Sequence, residues 1–206
     1  MANALEHASE VRAHVIDSTS VEHRHMLAQH LTPPEVATLA ASLFSDTTEP
    51  VTLLDLGAGT GILTIAVAER YGDELKTADA IELDAVLARI YERDVRMLVG
   101  GETVCGDAIA AATYANPNLL GSYNRIILNP PYKKMAAGDP RQEDLPSRSP
   151  NLYTAFIMRA VEHLTPDGEV VAIIPRSWTN GEYFLPFRKW LFARCSLDAM
   201  HVYGSR

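Results

Sequence analysis

The sequence is short of cysteine, of basic charge and of long apolar runs, and each shortage removes a class of protein. Its 206 residues hold two cysteines. Cys105 and Cys195 form no spaced cluster with each other or with histidine, and each lies in an apolar stretch, so buried thiols are expected and neither a disulfide framework nor a metal cluster is. No apolar run approaches the roughly 20 residues that span a bilayer, and the first residues lack the charged-then-apolar pattern of a secretory signal, so a cytoplasmic protein without membrane association is expected. Eighteen basic against 26 acidic residues leave a net charge of −8. That balance disfavours a free-standing nucleic-acid binder, because neutralising phosphates supplies most non-specific affinity. The deficit is uneven, however. Residues 1–128 carry 8 basic and 18 acidic side chains, whereas residues 129–206 carry 10 and 8. Lys133, Lys134, Arg141, Arg148, Arg176, Arg188 and Lys189 form a candidate basic face in the second part.

What is present is an ordinary globular composition, 47% hydrophobic and 21% charged, which excludes a disordered or collagen-like chain. A chain of this length should bury roughly 70% of its unfolded surface around one core. Residues 1–30 give a loose helical pattern through Val11, Val15, Met26 and Leu27 and predict an N-terminal helical extension. Thr32 before Pro33 and Pro34 reads as the cap of a helix running to about Phe44. From Val51 the chain becomes regular. Apolar runs at 51–55, 78–82, 102–105, 124–128 and 169–174 predict strands, separated mostly by helix-length segments near 62–71, 84–98 and 151–164. Such alternation implies an α/β fold with a doubly wound, mostly parallel sheet. A further helix at about 183–194 and a strand at 197–203 continue it. The charged, proline-bearing loop from Lys133 to Pro150 is too long for a plain connector.

The first strand runs through Asp55 into Gly57-Ala58-Gly59-Thr60-Gly61, and a helix follows. Glycines at such a turn admit a close ligand and backbone angles that side chains forbid. Glycines of purely structural use, a dinucleotide loop and an S-adenosylmethionine loop are the three readings. The spacing departs from the final two-residue gap of the dinucleotide fingerprint, and Asp55 suits a ligand's ammonium, directly or through water, better than it suits phosphates. Glu82 closes the second strand, where an acid can bind the ribose hydroxyls of an adenosine ligand, and Asp84 is placed to cap the next helix. Asp107, after the third strand, could accept from an adenine amine or simply shape a turn.

Asn129-Pro130-Pro131-Tyr132 follows the fourth strand at its carboxyl end, where open α/β sheets place ligands. An amine conjugated to a π system is a poor nucleophile, because its lone pair is delocalised. The Asn129 side-chain oxygen and the Pro130 carbonyl can accept its two hydrogens, and adjacent prolines stiffen the backbone that presents them. Tyr132 offers a flat face for stacking a base, worth about 1–3 kcal/mol. A sulfonium methyl donor is already a strong electrophile, so alignment is the main remaining need. Neither a metal nor a covalent nucleophile is required, and neither cysteine is near the tetrapeptide in sequence.

At these residues the chain resembles the adenine-specific DNA methyltransferases of restriction-modification systems, most closely the PstI/BsuBI-type branch, over roughly residues 29–206. The resemblance implies a Rossmann-like S-adenosylmethionine-dependent catalytic domain over residues 31–206. It assigns Thr32 and Pro33 to the cofactor's methionine end, Gly57, Ala58, Gly59 and Gly61 to the cofactor loop, Glu82 and Leu83 to the ribose side, and Asp107 and Ala108 to the adenine. Asn129 to Tyr132 become the catalytic loop, with Asn129 also touching the cofactor. Lys133-Lys134 and the blocks at Asn151 to Phe156, Ile174 to Trp178 and Asn180 to Phe184 resemble that branch as well. It further implies double-stranded DNA with the target adenine flipped out. This order of motifs belongs to the subgroup whose target-recognition region is C-terminal, and that region is expected to be absent here. A chain inactive without that region or a second subunit, and methylation of RNA or of a protein glutamine, are the competing expectations; a dehydrogenase is a third.

Overall fold

The computed structural model describes residues 4–18, 31–136 and 138–204. Five parallel strands form one sheet in the order β3-β2-β1-β4-β5: β1 Val51–Leu56, β2 Leu75–Glu82, β3 Thr103–Cys105, β4 Tyr123–Leu128 and β5 Leu164–Ala172. Helices α1 Ala4–Ser18, α2 Pro34–Ser42, α3 Ile62–Tyr71, α4 Ala85–Asp94, α5 Arg96–Val99, α6 Leu152–Glu162 and α7 Leu185–Phe192 accompany it.

Strand residues alternate between two cores, as a parallel sheet covered on both faces requires. Val51 and Leu53 of β1 and Ile127 of β4 join α1, α2 and α3 on one side. Leu54 and Leu56 of β1 and Ile126 and Leu128 of β4 join α6 and α7 on the other. Helix α3 follows β1 directly and is buried from Ile62 through Ala68, which explains why its sequence is apolar all round. Successive strands step outward from β1 to β2 and β3, then return across β1 to β4 and β5. The carboxyl ends of β1 and β4 therefore flank a topological switch point, where such sheets bind ligands.

Several expectations are corrected. Residues 197–203 form no strand; Leu197, Met200, Val202 and Tyr203 are exposed, and an alternating pattern becomes a strand only where a neighbour completes its ladder. The helix expected over 84–98 breaks at Val95 into α4 and α5. Thr32 caps nothing: α2 begins at Pro34 with Pro33 at its cap position and no side-chain bond, and the Thr32 hydroxyl is engaged elsewhere. Helix α1 covers the first half of the expected extension and buries Ala8 and Val15; residues 19–30 lie outside the described residues.

Gly61 shows how tightly the turn into α3 is built. Its φ is +80°, and a Cβ there would stand 2.5 Å from Val95 and 2.9 Å from Tyr91. Gly61→Ala is expected to cost about 2–3 kcal/mol of stability, read as a lowered denaturation midpoint with unchanged slope, from left-handed strain plus overpacking. Gly59→Ala, whose nearest neighbour would be Leu31 at 3.5 Å, should cost less.

Candidate active site

A cavity opens at the carboxyl ends of β1, β2 and β4, and the glycine turn forms one wall of it. Gly57, Gly59 and Gly61 all have positive φ, at 76°, 58° and 80°. Four amides of this turn are engaged within the chain. Gly57 and Ala58 donate to Ile81 O, Gly61 donates to Ala58 O, and Gly59 donates to Glu82 Oε2 at 2.8 Å. A pyrophosphate loop needs such N–H groups aimed at its ligand, so the geometry argues against a dinucleotide.

Glu82 ties this wall to the next. Its Oε1 accepts the Asp84 amide at 2.8 Å, and Asp84 in turn caps α4 by accepting from Val86 and Leu87. Glu82 is buried, and burial pushes its carboxyl pKa up against the pull of those amide donors. Each of its oxygens has a second lone pair for another donor. Asp107, also on the wall, accepts the Ile109 amide on Oδ1 at 2.9 Å and Arg141 Nη1 on Oδ2 at 3.0 Å.

Asn129 reaches the same cavity from the end of β4. Its Nδ2 donates to Thr32 Oγ1 at 2.9 Å, and its Oδ1 accepts the Tyr132 hydroxyl at 2.9 Å. That hydroxyl also stands 3.0 Å from Ile173 O. Burial pushes the Tyr132 phenol up to about 12, with Tyr203 adding to the shift, so it is neutral at physiological pH.

Of the sequence-predicted positions, the cavity wall holds Thr32, Gly57, Ala58, Gly59, Glu82, Leu83, Asp107, Ala108, Asn129 and Pro131. Pro33, Asp55, Gly61, Pro130 and Tyr132 stand outside that wall. Asp55 lies on the opposite side of the glycine turn, fully buried toward α3, where its Oδ2 accepts the Thr64 hydroxyl at 2.7 Å. Its Oδ1 has no partner among the described residues. Burial raises its pKa to about 7, the Thr64 bond opposing and Glu82 adding.

Sequence reasoning missed Arg141, Lys133, Leu152 and Phe156 as cavity residues. Arg141 is legible only as a member of a basic face, while Lys133, Leu152 and Phe156 fall in blocks that resemble the methyltransferase branch without a role assigned to them. Among the described residues, no group of three or more His, Cys, Asp or Glu side chains is placed to hold a metal, and no helix is long and apolar enough to cross a membrane.

Residues 96–206, just over half the chain, match the family described as Eco57I restriction-modification methylase. The chain is 33% identical over 201 residues to the type II methyltransferase M.PstI of Providencia stuartii, covering 89% of this chain and 40% of that protein. It is also 33% identical over 199 residues to the type II methyltransferase M.BsuBI of Bacillus subtilis, covering 87% and 40%. The chain thus spans about two fifths of the length of these curated relatives. A solved Listeria monocytogenes structure assigned to the class I S-adenosylmethionine-dependent methyltransferases superposes with a TM-score of 0.69 at 17% identity, covering 91% of this chain and 59% of that one. The expected doubly wound, Rossmann-like methyltransferase fold is therefore the observed one.

Proposed function

We propose, from the premise that the chain belongs to the Eco57I restriction-modification methylase family, that it serves transfer of a methyl group from S-adenosylmethionine to the exocyclic amine of adenine in double-stranded DNA. The observation that carries this reading is that Asn129 shares one cavity with Gly57, Gly59, Glu82 and Asp107, although these residues come from four different strand ends.

The residues suit the cofactor. A turn with positive φ leaves room beside it, Glu82 can accept ribose hydroxyls, Asp107 can accept a purine amine, and Leu83, Ala108 and Phe156 offer apolar surface to the flat ring. The cofactor supplies an electrophilic methyl, and the chain supplies position. Asn129 Oδ1 and the Pro130 carbonyl accept the two hydrogens of the target amine, which favours the pyramidal form whose lone pair is free to attack. Thr32 holds the other end of the Asn129 amide, and Tyr132 gives the base a face to stack on. Bringing adenine into such a site costs a few kcal/mol of unstacking, so further contacts to DNA belong to this reading. The protein would work in the cytoplasm, where chromosomal DNA is the substrate.

A second reading is a cofactor-binding unit that transfers only when joined by another chain or domain. It is favoured by β5, an edge strand that no described strand pairs on its outer side, and by the exposed apolar residues Leu197, Met200, Val202 and Tyr203. Methyl transfer from labelled cofactor to duplex DNA, transfer RNA and protein glutamine substrates separates the readings. Label is expected in DNA as N6-methyladenine. Label confined to RNA or protein would overturn the proposal, and cofactor binding with transfer arising only on addition of a second chain would favour the alternative.

A further inference from the structure

Both carboxylate oxygens of Asp107 are engaged by the chain itself, but not in the same way. Oδ1 takes the Ile109 amide, a main-chain bond two residues away that shapes the turn after β3. Oδ2 takes Arg141 Nη1 at 3.0 Å, a contact that reaches across the cavity from the segment 138–149. The remaining donors of Arg141 are held locally: Nε and Nη2 lie 2.9 and 2.6 Å from the two oxygens of Asp139, which also accepts the Arg141 amide. The segment has its own fastening, since the Ser149 amide donates to Gln142 Oε1 at 3.1 Å and the Ser149 hydroxyl donates to Asn151 O at 2.8 Å. Losing the Asp107 contact would thus leave Arg141 still paired and the segment still anchored.

The two bonds on Asp107 differ in what it takes to break them. Releasing Ile109 undoes the turn, whereas releasing Arg141 breaks one of three guanidinium contacts between side chains that are 30% and 28% exposed. An ion pair this open to water is weak. A guanidinium N–H and a purine exocyclic N–H are also the same kind of donor, planar and in-plane; Asp107 Oδ2 has a second lone pair, but the cationic guanidinium already on it draws down its acceptor strength, so a neutral amine competes with Arg141 for that oxygen.

We propose that Arg141 is a gating residue for the cofactor: its Nη1 occupies the Asp107 oxygen that the cofactor's purine amine takes, so binding exchanges one N–H donor for another and frees the segment 138–149 from the adenine end of the cavity. This rests on reading Asp107 as the purine-binding acid. No bond forms or breaks covalently; Arg141 retreats onto Asp139, which keeps the guanidinium paired while the site is loaded.

The test measures binding of S-adenosylhomocysteine to the intact chain by calorimetry and stopped flow, because this ligand carries the same purine and no net charge. Arg141→Ala is expected to bind about two- to fivefold more tightly, through faster association, as removal of a weak, part-buried competing ion pair predicts. Raising salt should tighten binding to the wild-type chain by screening that pair, and this response should vanish in Arg141→Ala. The salt arm requires no variant to fold. Weaker binding by Arg141→Ala, or a salt response unchanged from wild type, would show that Arg141 helps hold the purine or ignores it, and the gate would fall. Asp107→Asn tests the underlying reading separately: it should weaken the adenine ligand while leaving the inosine analogue, with a carbonyl in place of the amine, little affected. If Asp107→Asn weakens binding but Arg141→Ala does nothing, only the gate is lost; if Asp107→Asn is silent, the purine assignment goes with it.

Discussion

Asn129→Ala should lower methyl transfer by about a hundredfold or more, by analogy with removal of a single preorganised polar group from a reacting centre, while cofactor affinity changes little. The asymmetry follows from where the side chain stands. Asn129 is one of many residues lining the cavity, and in the proposed reading its Oδ1, which accepts the Tyr132 hydroxyl in this structure, is the side-chain acceptor for the incoming amine. Without it the Pro130 carbonyl alone must draw the amine out of conjugation. Thr32, which is buried, and Tyr132, which is exposed, would each lose a partner as well. Thr32→Val gives a graded comparison: it keeps the Asn129 oxygen but removes the hydroxyl that fixes the amide, so transfer should fall less than in Asn129→Ala. Single-turnover transfer with labelled cofactor, beside calorimetric binding of the same variants, checks both. Full transfer by Asn129→Ala would remove the tetrapeptide from the chemistry.

The parts of this site that could be read from the sequence are those fixed by local chemistry. Gly59 and Gly61 are legible because positive φ, and at Gly61 also lack of room, leave few other residues, and Asn129 to Tyr132 because their usefulness depends on being adjacent. Asp84 capped its helix as its position promised. The parts that could not be read are contacts between distant segments. Thr32 looked like a helix cap, since nothing local says that a residue 97 positions away will take its hydroxyl. Arg141 looked like surface charge, since composition does not distinguish a cation facing DNA from one facing Asp107. Residues 197–203 carry a strand's alternation, yet alternation records only that one face wants a partner, not that one is there.

Asp55 joins both kinds of evidence, because its place before the glycines was legible and its direction was not. It shares the side of β1 that bears Leu53, and so it points at α3, into the core rather than the cavity. A carboxylate there has Thr64 for one oxygen and nothing described for the other, which is why burial lifts its pKa from the ordinary 3.8 to about 7. Between about pH 4 and 7 the unfolded chain has given up this proton and the folded chain still holds it, so the folded state binds more protons and stability must fall as pH rises. The slope should end near pH 7, once the carboxyl ionises in both states, after a loss of about 4 kcal/mol. Glu82, whose pKa is raised in the same direction by its own burial, steepens the fall. Chemical denaturation across this range should show the wild-type chain most stable on the acid side of the window, and Asp55→Asn, which cannot ionise, should flatten most of the slope. A wild-type chain whose stability instead climbs from pH 4 to 7 would mean that Asp55 is ionised and paired, and that a cation or water reaches it behind the glycine turn.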